Sequence, residues 1–407
     1  MVFVEVVFAI KERQFDGISF FLFSLNKKMK HGIFVFFFML TWVSLLYGST
    51  PQGQYPSIFS SFEFDTTDTR LESLISEKTE GNWFLGYRYG KVNRETFNLF
   101  TLKRGYITIK NRFDERWSVR FTQDITLDQE GSDQGNIEMR LKYCYINYQT
   151  DDFWVFSNPE IEVGLVHRPW LDFEQKINPY RVQGTMFLER VGLMNSADFG
   201  ITFSSLLGGK VSERYQKQVN DDYPGRYGSF SIGLYNGGGY HALENNQTKN
   251  LESRLTVRPF PASLPGLQFT YNLALGKGNT KLAPDFVMHS GFISYELPHL
   301  TLTGQYYEAL GNSSGSYANT RGGSYHNEGY SFFTEYQIPH TPLSVFGRYD
   351  HFLCGQVNIP DSRRVIAGVG YNFYRQSKLV LDVDAFDQGV TGNWNSRIYE
   401  AVVEIRF

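Results

Sequence analysis

The chain has 407 residues, a formal net charge of −3 and no block of like charge, which argues against a nucleic-acid partner. Only two cysteines, Cys144 and Cys354, exclude a disulfide-stapled scaffold and a zinc module. With 26 Tyr, 36 Phe and 38 Gly against 6 Trp, the composition favours strands over helices.

Lys27, Lys28, Met29, Lys30 and His31 lead into the apolar run Ile33 to Leu46, closed by Tyr47-Gly48-Ser49-Thr50. A basic entry, a short apolar centre and small residues at the end describe a secretory leader cut near Gly48 or Ser49. Glu5, Glu12 and Asp16 do not suit a leader, so residues 1–28 are read as a mis-assigned upstream extension, 29–49 as the leader and 50–81 as an N-terminal segment. That segment is polar apart from Ile58, Phe59, Phe62 and Phe64.

Residues 82–407 are expected to form the barrel domain, because beyond residue 50 no apolar run reaches the ~18 residues of a membrane helix. Instead, segments of about ten residues alternate apolar and polar positions between Gly, Asn, Asp, Ser and Pro clusters. Trp117, Val119 and Phe121 alternate with Ser118, Arg120 and Thr122; Met139, Leu141, Tyr143 and Tyr145 alternate with Arg140, Lys142 and Cys144. Leu255 and Val257 alternate with Arg254, Thr256 and Arg258, and Leu379, Leu381, Val383 and Ala385 with Lys378, Val380, Asp382 and Asp384. Cys144 and Cys354 read as separate thiols, a bond between them being the alternative.

Sixteen segments begin near Asn82, Asn98, Glu115, Gly135, Asn158, Ala197, Tyr227, Asn250, Gly266, Asp285, His299, Glu328, Pro342, Arg363, Ser377 and Asn395. Their connections alternate between short turns and longer Gly/Ser/Asn-rich loops, the sidedness of an all-β, antiparallel transmembrane barrel. Leu206 to Arg226 is long on the short-turn side, so it is either an extended turn or two missed strands, and eighteen is the second-choice strand count. Trp117, Tyr145, Tyr235, Tyr295, Tyr336, Tyr371, Phe373 and Tyr399 are expected in aromatic girdles at the two interfaces.

The longest connection on the loop side, third among the outer loops, runs from Arg168 to Ser196. It carries Arg168, Asp172, Glu174, Lys176, Arg181, Glu189 and Arg190, a nearly balanced set of charges expected to fold inward and narrow the pore. Parity adds Arg120, Arg140, Lys142, Arg254, Arg258 and Arg348 on the lumen side, against Glu252, Asp350, Asp382, Asp384, Glu400 and Glu404. The last strand closes on Phe407, preceded in steps of two by Ile405, Val403, Ala401 and Tyr399. Tyr399, Val403, Ile405 and Phe407 resemble the signal read by the outer-membrane assembly machinery.

Arg104-Gly105-Tyr106-Ile107-Thr108, the run from Phe113 to Asp124, Phe187-Leu188-Glu189-Arg190 leading into Asp198-Phe199-Gly200-Ile201, Leu234-Tyr235-Asn236-Gly237-Gly238-Gly239 and Arg254-Leu255-Thr256-Val257-Arg258-Pro259 resemble the phosphate-selective porin O and P family. The resemblance covers about residues 80 to 270. It implies a sixteen-stranded, usually trimeric, Gram-negative outer-membrane porin, in contact with lipid and lipopolysaccharide and passing small hydrophilic solutes. The inner loop departs from the family's Arg-rich pattern, so the resemblance implies fold and pore activity and not phosphate preference.

The alternatives are a fatty-acid-type transporter with a hatch made by residues 50–81, and a barrel hydrolase. Against the hydrolase, Asp350-His351 and His289-Ser290 are adjacent in sequence and so point to opposite faces of a strand. No cofactor is implied: Gly237 to Gly239 lacks the lysine of a phosphate loop, and the spacing in Asp128 to Asp133 fits no calcium site.

Overall fold

A computed structural model describes residues 11–15, 18–22, 76–92, 95–128, 134–356, 359–374, 376–387, 389 and 396–407. The expected leader 29–49, residues 50–75 and most of the acidic loop Asp128 to Asp133 lie outside these residues. Two units divide at Thr69/Arg70. In the first, β1 (Lys11–Phe15) and β2 (Ile18–Leu22) form an antiparallel hairpin.

The second unit is a closed barrel of sixteen antiparallel strands, each paired with its sequence neighbours and the last with the first. The first half comprises β3 (Ser76–Val92), β4 (Glu95–Arg112), β5 (Trp117–Leu127), β6 (Ile137–Gln149), β7 (Phe156–His167), β8 (Ala197–Leu207), β9 (Gly228–Tyr235) and β10 (Asn250–Val257). The second comprises β11 (Leu267–Lys277), β12 (Asp285–Leu297), β13 (Leu300–Leu310), β14 (His326–Gln337), β15 (Leu343–Cys354), β16 (Ser362–Tyr374), β17 (Ser377–Asp387) and β18 (Ser396–Arg406).

Each of the sixteen segments read from the sequence has its strand. The first begins at Ser76 rather than near Asn82. Residues 76–81 have no apolar alternation to betray them, yet they pair with 107–112 of β4. The long turn at 208–227 holds no strand pair. Inside the barrel, two short helices, α1 (Leu171–Ile177) and α2 (Phe187–Arg190), lie on the connection after β7; a third, α3 (Glu213–Gln218), lies on that turn.

Alternation produces a wall that is apolar outside and polar inside. Leu255 and Leu381 are exposed outward while Arg254 and Asp382, one residue away, are buried within. The outer face needs a hydrocarbon solvent, and closure leaves no unpaired strand edge in it, so the strands cross the membrane. Among the described residues no helix is long and apolar enough to do so. The ring closes through β18 and β3: the Gly81 amide donates to the Phe407 carbonyl at 2.9 Å, and the Phe407 ring lies where a side chain on residue 81 would stand. A side chain at residue 81 would have to push that exposed ring aside.

Two expectations need correction. A bulge where Gln123 and Thr122 of β5 meet Leu141 and Tyr143 of β6 turns Tyr143 and Tyr145 into the lumen with Lys142, and leaves Cys144 opposite Phe121. Tyr145 therefore leaves the girdle. Tyr235 also faces inward, fully buried, its ring lying over Gly233 so that its hydroxyl meets Thr202 at 2.8 Å. Trp117, Tyr336, Tyr371, Phe373 and Tyr399 remain exposed on the outside. No disulfide joins Cys144, on β6, to Cys354, at the end of β15.

The lumen is not polar throughout. Ala274, Phe286, Met288, Phe292, Tyr307, Ala309 and Phe352 face inward on β11–β15 and form a core with Trp170, Leu171, Phe173, Ile177, Phe187 and Leu188 of the inner loop. Burial of this area is the main attraction holding the loop to one wall.

Candidate functional site

The connection 168–196 leaves β7 at His167 and folds into the barrel. At its start the Arg168 guanidinium meets Glu252 of β10 through two hydrogen bonds, one of them Nε to Oε2 at 3.0 Å, with both side chains buried. Arg254 donates to the Pro169 carbonyl at 2.8 Å, and its guanidinium lies between the rings of Phe173 (4.3 Å) and Tyr223 (4.8 Å). The loop is thus fastened to β10 by two arginines that have left bulk water, an arrangement that holds only because each charge is met by partners.

Helix α1 has two sides. Leu171, Phe173, Glu174 and Ile177 are buried against the wall, while Asp172 and Lys176, four residues apart, face the open half of the lumen. Further along, the loop reaches the opposite arc. Tyr180 stacks on Phe346 (3.9 Å between centroids) and donates to Glu335 at 2.9 Å. Lys378 and Lys103 donate to the carbonyls of Pro179 (3.1 Å) and Gln183 (2.6 Å), and Arg190 pairs with Asp350 at 3.2 Å. From above, Asn312 donates to the Gly192 carbonyl at 2.8 Å.

The loop leans on β10–β18 and leaves the β3–β8 side open. A cavity of about 650 Å³ opens there, lined by Lys110, Asn147, Glu160, Glu162, His167, Asp172 and Lys176 among others. At its head the loop touches the wall: Arg181 donates to the Tyr106 hydroxyl at 3.4 Å. Lys142 lies 4.7 Å over the Tyr106 ring and Arg120 4.7 Å over Tyr143. Arg120 also bonds Thr122 and His167, both at 3.0 Å. Among the described residues Arg120, Lys142 and Arg181 make no ion pair, so three cations share one aromatic patch at this contact between loop and wall.

The acids nearby are held differently. Burial alone would raise the Asp172 carboxyl, but His167, Lys176 and the Tyr223 hydroxyl hold it well below the usual carboxylate range. Glu174, on the buried side of α1, is pushed up to about 7 by burial, with Arg348 only partly opposing it. Asp124 pairs with Arg104 (2.9 Å) and accepts a hydrogen bond from the Tyr240 hydroxyl (3.0 Å).

The closed barrel of sixteen strands has solved counterparts. Similar structures include an anion-selective porin from Comamonas acidovorans (TM-score 0.58, 11% identity, covering 82% of this chain and 99% of that one) and Salmonella typhi OmpF in complex with daunomycin (0.56, 12%, 83% and 99%). The trimer form of OmpT, an outer-membrane protein of Vibrio cholerae, is also similar (0.53, 9%, 82% and 99%). At these identities the likeness is one of fold. No protein-family model and no curated protein matches the sequence.

Of the residues singled out in the sequence, the structure brings Arg120, Asp172 and Lys176 to the open half of the lumen, with Arg181 half-buried at the loop-to-wall contact and Arg140 and Glu189 half-buried near the long-loop end. Lys142, Arg168, Glu174, Arg254 and Arg258 are buried; Arg190 is bound to Asp350 and to the Thr185 carbonyl. Arg348, Glu252, Asp350, Asp382, Asp384, Glu400 and Glu404 all face inward, as parity requires. Tyr399, Val403, Ile405 and Phe407 share the outer face of the closing strand. Sequence reasoning missed Tyr106, Tyr143, His167 and Tyr223. The repeated Tyr-x-Tyr of β6 was visible but carried no sign of the bulge that turns it inward.

Proposed function

We propose that the protein is a passive diffusion pore of a Gram-negative outer membrane, passing small hydrophilic solutes and ions with a preference for anions. The observation that carries this reading is the loop-to-wall contact of Arg181 with Tyr106, flanked by Arg120 and Lys142. A narrow water-filled passage attracts ions of the sign opposite to the charge that dominates it, and at this contact three cations stand without an ion pair, opposed at longer range by Glu189 acting on Arg181 and Asp172 on Arg120. The name of the Comamonas acidovorans counterpart, an anion-selective porin, points the same way. Phosphate is one anion such a patch suits, although nothing in its geometry singles phosphate out.

Three accessory readings go with this one. Residues 29–49 are a cleaved leader. The outer face of β18 ending in Phe407 is what the barrel-assembly machinery reads. The working unit is a homotrimer in lipid and lipopolysaccharide, in keeping with the trimer form of the Vibrio cholerae counterpart.

Liposome swelling with neutral sugars of rising size, followed by the same vesicles with anionic and cationic solutes, tests the reading. Swelling that declines with size, and is faster for anions of equal size, is expected. Vesicles impermeable to the smallest sugar would end it.

A further inference from the structure

The long turn 208–227 lies at the end of the barrel opposite the inner loop's root. It folds into the barrel mouth and holds the inner loop from beneath. The Tyr223 hydroxyl donates to Asp172 Oδ2 at 2.6 Å, and Asp222 Oδ1 lies 3.0 Å from Lys176 Nζ. Asn220 bridges the two elements, donating to the Lys176 carbonyl at 3.1 Å and to Glu296 of β12 at 2.7 Å. Tyr223 has φ +46°, a left-handed conformation that a non-glycine residue keeps only when contacts hold it there.

The two side chains of α1 that face the passage, Asp172 and Lys176, are therefore the same two that the turn engages. One is met by a neutral donor and the other by an opposite charge. We infer that residues 220–223 of this periplasmic turn are selectivity-setting positioning residues: Asp222 masks the Lys176 charge, and Tyr223 fixes the Asp172 carboxylate, so that the ionic preference of the passage is set from both ends of the barrel. The inference rests on the pore reading. It goes beyond that reading by placing part of the filter on a turn that does not itself form the loop-to-wall contact.

The test is the anion-to-cation permeability ratio from reversal potentials in planar bilayers under a KCl gradient, using the full chain. Asp222→Asn leaves Lys176 unmasked and is expected to raise the ratio about twofold, the effect on anion and cation together of one unit charge about 10 Å away in water screened by ~0.1 M salt. Lys176→Gln, which removes the masked charge itself, is expected to lower the ratio by a similar factor, and Lys176→Gln with Asp222→Asn, which leaves the pair without net charge as in wild type, to return the ratio close to the wild-type value. Tyr223→Phe is expected to shift the ratio in the wild-type background and not in Asp172→Asn. Heat-modifiable electrophoretic mobility establishes that each variant forms a barrel. Channels whose ratio ignores Asp222→Asn, or whose double variant departs from wild type as far as either single variant does, would overturn the inference and leave the pore reading standing. Wild-type protein that opens no channels would overturn both.

Discussion

Removing the Glu252 carboxylate should release the inner loop. Arg168 and Glu252 are both buried, and with Glu252→Gln the guanidinium keeps its full charge with no ion-pair partner. Breaking such a pair costs ~3–5 kcal/mol in general. Here the lower end applies, because the Tyr235 ring 6.0 Å away and the nearby Asp198 carboxylate still offer the cation some solvation. A loss of about 3 kcal/mol raises the population of loop-open molecules more than a hundredfold. Trp170, fully buried two residues from Arg168, reports the change directly. In urea unfolding followed by fluorescence in lipid vesicles, Glu252→Gln should show an early transition in Trp170 emission that precedes loss of the barrel. Protease cleavage between 179 and 186 should rise in parallel. Arg168→Leu with Glu252→Leu, which removes both charges, should recover most of the loss. A single unchanged transition in Glu252→Gln, within ~0.5 kcal/mol of wild type, would refute the view that this pair anchors the loop.

Three further outcomes follow from the same geometry. Arg120→Glu reverses an unpaired charge at the narrow contact and should lower the anion-to-cation permeability ratio about fourfold, measured by reversal potential. Glu174 is raised to about 7 in the folded state from an ordinary 4.5. Between those values the folded carboxyl keeps a proton that the unfolded chain has lost, so stability falls as pH rises through the window and the whole penalty is present above pH 7. Glu174→Gln should then stabilise the fold by on the order of 2–3 kcal/mol at pH 8 and by little at pH 4, read from urea midpoints at the two pH values. Phe407→Ala uncovers Gly81 and should cost ~1–2 kcal/mol in refolding; if its side chain is also read during assembly, the yield of membrane-inserted barrel in cells should fall further than that cost explains.

The strand count was legible because alternation is local: β10 and β18 alternate exposed and buried positions along nearly their whole length, without reference to anything distant. The failures were all non-local. Residues 76–81 are a strand only because β4 extends to pair with them. Tyr143 and Tyr145 face inward because of one bulged residue, which no periodicity in β6 reveals. The apolar inner face of β12, with Phe286, Met288 and Phe292 beside the equally apolar Val287, Ile293 and Tyr295, was readable as a strand buried on both faces, and it marks where the loop docks. Charge content identified the inner loop, but which charges meet water depended on the packing of α1. The turn carrying Tyr223 gave only its unusual length.

The central claim is a water-filled passage through a closed barrel, narrowed by the contact of Arg181 with Tyr106. Single-channel recording of wild type beside Arg181→Ala with Tyr106→Ala tests it most directly. Stable open steps that grow in conductance when the contact is removed are the predicted result; steps of unchanged size, or none from either protein, would contradict it.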